Sequence, residues 1–224
     1  MQQGAFPLCQ FPLILGHEGA GFVRAIGSSV KDATIAVGDF VLLSFNVCGD
    51  CKQCKRGHPA YCHNGSKLHM GAVRAEDESS PGRLRDGRVV RSQFFGHSSF
   101  AKMSIVAESC VVKFPYDPVG AAIFAACGCG FQTGAGTVLN VLKPQQDSSI
   151  AIFGMGSVGL TALMAAKYSG VRQILAIDVA DERLEVARDL GATHVVNSMG
   201  CDDIVTEIRQ LTGSGADFCI DCAG

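Results

Sequence analysis

The sequence has no run of eighteen consecutive apolar residues, the length a single membrane-spanning helix needs; its best stretch, Ala121 to Phe131, is shorter and broken by Gly and Cys. Its basic residues are not gathered either. Nineteen Lys and Arg are dispersed against twenty-one Asp and Glu, a net charge of −2, with no one-sided patch for nucleic acid or an anionic lipid surface. The amino terminus, Met1-Gln2-Gln3-Gly4, lacks the basic start, apolar core and small-residue cleavage site of a secretory leader. There is no internal repeat and no low-complexity tract. These absences predict a cytoplasmic chain with neither membrane nor nucleic acid as partner. Charged residues are few, at 18%, and apolar residues reach 47%, which excludes a disordered segment.

What is present fits 224 residues arranged as one large domain or one and a half ordinary ones. Eleven cysteines in a reducing compartment are more often metal ligands or core residues than disulfides, and four of them fall between Cys48 and Cys62. Before about Pro144 the chain is β-rich and irregular. Strands are expected at Ala20–Ile26, Phe40–Phe45, Phe100–Val106 and Cys110–Phe114, with a small-residue helix over Gly120–Ala126. Arg74 to Arg91, with nine charges around Ser79-Ser80-Pro81-Gly82, reads as a solvated loop. After Pro144 short apolar strands alternate with amphipathic helices. Strands at Ser149–Phe153, Gln173–Ile177, His194–Val196 and Asp217–Ile220 are separated by helices, one capped by Asp181 and one carrying Ile204, Ile208 and Leu211 on a single face. That alternation predicts a parallel sheet with right-handed crossovers.

Gly154-Met155-Gly156-Ser157-Val158-Gly159 closes the first of these strands and opens a helix, and Asp178 ends the next strand nineteen residues after Gly159. This is the dinucleotide-binding arrangement. Gly154 permits the turn, Gly156 lets the backbone approach a pyrophosphate, and Gly159 lets helix and strand pack closely. Free N–H groups of the turn, including those of Ser157 and Val158, and the helix dipole would hold the phosphates. Asp178 would accept the adenosine ribose hydroxyls and repel a 2′-phosphate, which favours NAD over NADP; Arg183 could lie over the ribose.

Cys48, Cys51, Cys54 and Cys62 form C-x-x-C-x-x-C-x7-C, a spacing that brings four thiolates onto one tetrahedral ion. A zinc ion with four sulfurs is coordinatively full and therefore structural. Lys52, Lys55 and Arg56 would offset the surplus negative charge. An iron–sulfur cluster is the rival reading, against which stand the seven-residue gap and the absent Cys-Pro.

His17 stands in Gly16-His17-Glu18-Gly19-Ala20-Gly21, and alone it would be an ordinary structural histidine. The hexapeptide, the four-cysteine lobe, the segment Gly128-Cys129-Gly130-Phe131-Gln132-Thr133-Gly134 and the dinucleotide turn occur in one order. Together they resemble the zinc-dependent alcohol dehydrogenases of the medium-chain dehydrogenase/reductase family, over nearly the whole chain. Residues 128–136 are most similar to the aryl or benzyl alcohol dehydrogenase branch. The resemblance implies an α/β chain with a β-rich part: a partial GroES-like β-barrel catalytic domain over residues 1–135, with its zinc lobe at 46–66, and a partial Rossmann doubly wound sheet over 136–224. It also implies a catalytic zinc held by His17, Cys129 and a further Cys, leaving one position for an alcohol oxygen whose proton the ion makes acidic before hydride passes to nicotinamide. Glu18 matches the family's carboxylate beside the metal, and Thr133 the residue passing the nicotinamide ring. Intact members act on small alcohols and aldehydes and form homo-oligomers.

The family's first zinc ligand lies about twenty residues before the Gly-His-Glu segment, ahead of Met1 here. Cys9, with no matching neighbours, reads as a core or surface thiol. The last strand is the fourth of a sheet expected to have about six. The expectation is a chain shortened at both ends, belonging to a working oxidoreductase; the alternative is a zinc- and nucleotide-binding remnant without turnover.

Overall fold

The computed structural model describes residues 9–224, which divide into two compact units, one ending at Cys129 and one spanning Gly130–Gly224. Among the described residues no single helix is long and apolar enough to cross a membrane.

The first unit is built on a three-stranded antiparallel sheet of β1 (Gly19–Phe22), β2 (Phe40–Leu43) and a later strand, with Gly19 opposite Leu43. Between them the cysteine lobe holds two short helices, α1 (Lys52–Lys55) and α2 (Gly65–Met70). The charged stretch expected to be only a loop contains a small antiparallel hairpin of β3 (Gly82–Arg83) and β4 (Val89–Val90). It forms because Ser80 and Ser92 are buried there and satisfy one another: Ser80 Oγ bonds the Val90 carbonyl at 2.5 Å, and the two hydroxyls lie 3.0 Å apart. The sheet is completed by β5 (Val111–Lys113), paired with β2. A 3₁₀ segment then runs from Ala121 to Gly128, starting one residue and ending two residues later than expected, and more tightly wound.

Two expected strands differ. Ala20–Ile26 is strand only as far as Phe22. Phe100–Val106 is irregular: the Phe100 N–H is spent on the Leu15 carbonyl, and Phe100, Met103 and Ile105 are exposed, so the alternation there has no sheet face to bury.

The second unit opens with α3 (Gly130–Gly136), which widens into a π-type turn over Thr137–Leu142. There follow β6 (Ser149–Phe153), α4 (Ser157–Tyr168), β7 (Gln173–Asp178), α5 (Asp181–Leu190), β8 (His194–Asn197), α6 (Ile204–Thr212) and β9 (Phe218–Asp221). All four strands are parallel, in the order β8-β7-β6-β9, the half-sheet arrangement in which the first strand of the series lies inside and the crossovers diverge from it. β6 is buried on both faces. Ile150 and Ile152 pack with Leu163, Ile174, Leu184 and Ala187, while Ala151 faces the layer of Leu175, Ile177, Val196 and Ile208. Successive side chains point to opposite faces, so helices must cover both sides.

Helix starts are set locally. Asp203 caps α6, its Oδ1 accepting the Val205 and Thr206 N–H groups at 3.0 and 3.2 Å. Asp181, expected as a cap, is instead the first residue of α5 and accepts from Asn197 Nδ2 at 2.6 Å.

Candidate functional site

Among the described residues, two groups bring metal-ligating atoms within 4.8 Å of one another: Cys48, Cys51, Cys54 and Cys62, and His17, Glu18 and Cys129.

In the lobe the Sγ atoms lie 3.5 Å (Cys62–Cys48), 3.6 Å (Cys51–Cys54) and 4.0 Å (Cys48–Cys54) apart. Four sulfurs at about 2.3 Å from one zinc in a tetrahedron would be about 3.8 Å apart, so the cage has the size of a single ion. It is too small for an iron–sulfur cluster, whose four thiolates are spread over two or four irons. Backbone N–H groups already point at the sulfurs, Cys51 N at Cys48 Sγ (3.4 Å) and His63 N at Cys51 Sγ (3.5 Å). The Cys51 and Asp50 N–H groups draw the Cys48 thiol down to about 6, while burial and the neighbouring thiols push Cys54 up to about 12. Cys48 is thus the readiest to ionise, the Cys54 and His63 N–H groups hold Cys51 below its ordinary value as well, and Cys54 ionises only when a cation offsets its charge. Lys55 is committed to Asp50 at 2.7 Å.

His17 and Cys129 are 112 residues apart in sequence, and each follows a glycine at which a side chain would clash with the neighbouring backbone. Gly16 has φ +99°, and a Cβ there would come within 2.4 Å of the Phe100 backbone nitrogen. At Gly128 a Cβ would lie 2.0 Å from the Leu43 carbonyl oxygen, so the chain before Cys129 packs directly on β2. Burial, and then the Glu18 charge, push the Cys129 thiol up. An imidazole, a carboxylate and a thiol facing one another are a poor arrangement without a cation and a good one with it: the donor set fits zinc. Cys9, by contrast, is a buried core thiol beside Met70 Sδ at 3.9 Å.

Phe94, Phe95, His69 and His97 were not singled out in the sequence. The ring of His17 meets Phe95 at 5.0 Å and Phe94 edge-on at 6.4 Å. His97 is 0% exposed, and neither ring nitrogen has a well-formed hydrogen bond among the described residues. Burial and the nearby His17 push its pKa down to about 4, which the Ser44 backbone opposes only weakly. These residues follow no sequence period; the only local signal is an aromatic pair followed by Gly-His.

In the second unit the turn from Gly154 to Gly159 joins β6 to α4. A Cβ at Gly159 would lie 1.8 Å from the Gly154 carbonyl oxygen, whereas one at Gly156 would meet nothing within 4 Å among the described residues. The first glycine is required by packing; the second leaves open space at the helix N-terminus beside Ser157 and Val158, where a phosphate fits. Asp178 is buried at the end of β7, and Arg183 reaches it at 3.8 Å. Thr133 is exposed on α3, its carbonyl accepting Thr137 Oγ1 at 2.8 Å.

Comparison with known proteins agrees with this layout. Residues 1–116 match the alcohol dehydrogenase GroES-like domain and residues 157–224 the zinc-binding dehydrogenase domain. The chain belongs to the zinc-binding alcohol dehydrogenase family. A geraniol dehydrogenase from Castellaniella defragrans is 39% identical over 221 residues, covering 98% of this chain and 57% of that protein. Benzyl alcohol dehydrogenase from Acinetobacter calcoaceticus superposes with a TM-score of 0.85 at 39% identity, over 98% of this chain and 57% of that one. An alcohol dehydrogenase zinc-binding domain protein from Burkholderia ambifaria does so at 0.89 and 41%, over 96% and 57%. The chain therefore spans a little over half the length of these relatives. Zinc is the ion that goes with this alcohol dehydrogenase family, and its fold is a GroES-like part joined to a Rossmann part.

Proposed function

We propose that the chain is the zinc- and nucleotide-binding portion of an NAD-linked oxidoreductase that moves a hydride between a primary, aromatic alcohol and its aldehyde. The convergence of His17, Glu18 and Cys129 carries this reading. In it residues 1–135 form the catalytic part and 136–224 the nucleotide part. Cys48, Cys51, Cys54 and Cys62 hold a structural zinc, and His17 and Cys129 hold a catalytic one. Zinc in an open site supplies Lewis acidity toward an alcohol oxygen. Glu18 stays beside the ligands and assists exchange at the metal. Gly154, Gly156, Ser157, Val158 and Gly159 offer backbone N–H groups and space to the pyrophosphate. Asp178 takes the ribose hydroxyls and disfavours a 2′-phosphate, with Arg183 above the ribose and Thr133 along the nicotinamide side. The protein works in the cytoplasm as a homo-oligomer.

An aromatic substrate is supported by the likeness to benzyl alcohol dehydrogenase and by the apolar rings of Phe94 and Phe95 beside His17. The geraniol dehydrogenase relative favours a second reading, an allylic alcohol. Zinc analysis, titration with NAD and NADP, and turnover of benzyl alcohol, geraniol and ethanol test these assignments. Expected are zinc in the lobe, tighter NAD than NADP, and a rate order headed by benzyl alcohol. Geraniol in first place would select the second reading, and NADP preference would overturn the role of Asp178.

A further inference from the structure

Phe95 has φ 54° and ψ 21°, a left-handed backbone that a bulky residue adopts only when its surroundings enforce it. Its surroundings do. Ser98 Oγ accepts the Phe94 N–H at 2.8 Å and donates to the Ile14 carbonyl at 2.6 Å, and the Ser99 N–H bonds the Gly16 carbonyl at 3.1 Å. The loop is thereby fastened to the segment that carries His17. The ring of Phe95 then lies against two imidazoles. It stacks on His69 with centroids 4.5 Å apart and planes at 10°, and meets His17 at 5.0 Å and 41°. His69 is itself fixed: its Nε2 lies 2.8 Å from the Asn46 carbonyl oxygen, and because a carbonyl can only accept, Nε2 carries the proton. Asn46 stands two residues before Cys48 and His69 seven after Cys62, so this hydrogen bond closes the neck of the cysteine lobe.

We propose that Phe95 is a positioning residue for His17: clamped by His69 at the neck of the lobe, its ring fixes the His17 imidazole in the orientation that meets Cys129. A strained backbone is retained because it delivers that ring. The proposal rests on reading His17 as a metal ligand.

The test uses the full chain with zinc in the lobe, cobalt(II) titrated as the visible probe of the second centre, and the His17 ring resonances followed by NMR before cobalt is added. In the Phe95→Leu variant the lobe zinc should stay bound, the His17 signals should lose the ring-current displacement and broaden, and cobalt affinity should fall by about tenfold or more, as when an outer partner of a metal ligand is removed. Phe95→Tyr should restore all three. Should Phe95→Leu fail to fold, His69→Leu, which removes the clamp and leaves Phe95, should give the same broadening. Unchanged His17 signals together with unchanged cobalt affinity in the variants would overturn the proposal. Absence of a cobalt band that depends on His17 in the unmodified chain would overturn the metal-ligand reading instead, and the metal-free resonances would still decide the role of Phe95.

Discussion

Asp178 accepts the Met155 N–H at 2.5 Å with one carboxylate oxygen and the Val179 and Ala180 N–H groups at 2.8 and 2.9 Å with the other. The side chain read as a ribose acceptor thus also fastens the glycine turn to the end of β7. Burial alone would raise its pKa, but the three N–H groups together with the Arg183 charge outweigh burial and hold it below its ordinary 3.8.

Asp178→Asn should therefore do more than alter cofactor choice. Loss of the charged acceptor should cost about 2 kcal/mol at pH 7. Because the native pKa is depressed, this stability is present above 3.8 and is lost as pH falls through the native value, so wild type and variant should converge in acid. Thermal unfolding at pH 7 and pH 3 checks this; a gap unchanged at pH 3 would assign the effect to packing.

Gly128→Ala should destabilise the first unit by about 1–3 kcal/mol, since the new methyl would meet the Leu43 carbonyl oxygen at 2.0 Å and the neighbour is backbone that cannot swing aside. Urea unfolding would show it, and reactivity of Cys129 toward a thiol reagent should rise as its segment lifts from β2.

The second unit was legible almost element by element because each strand–helix step announces itself within about a dozen residues: an apolar run, a glycine turn, a 3.6-residue stripe. β6 and α6 lie where their patterns place them. In the first unit the pairing partners are remote, β2 with β5 across some seventy residues. Local alternation therefore misled at Phe100–Val106. The His17–Glu18–Cys129 meeting was legible only through the resemblance, since no spacing rule joins positions 17 and 129. The ring cluster around His17 was not legible at all: Phe95 and His69 meet because two loops are folded against each other, which neither segment records.

The cysteine lobe should be unstable without its ion. Cys51→Ser should lose stoichiometric zinc, and the unmodified chain treated with EDTA should show the same lowered melting temperature. If EDTA leaves both zinc and melting unchanged, the cage does not exchange its ion on that timescale, and dialysis against a stronger thiol-competing chelator is the next measurement.

His97 predicts a pH dependence in the opposite sense to an ion pair formed by histidine. Its native pKa of about 4 lies below the ordinary 6.5, so between those values the unfolded chain binds the extra proton and stability declines on acidification, by about 3 kcal/mol in all. Its closeness to His17 acts in the same direction. His97→Leu, which removes two buried ring nitrogens, should flatten the profile between pH 6.5 and 4 with little loss at pH 7. Urea midpoints across that range measure it.

The separation of 112 positions from His17 to Cys129 gives any ion shared by them a second consequence, for how the chain reaches its native state. Such an ion ties together segments far apart in the chain, and because it binds only the assembled unit it stabilises that state by mass action and leaves the denatured ensemble unrestricted. The site can form only after β1, β2 and the Gly128 segment have assembled, so capture of the metal would come last in folding and would act as a latch, slowing the unit's opening far more than it speeds its formation.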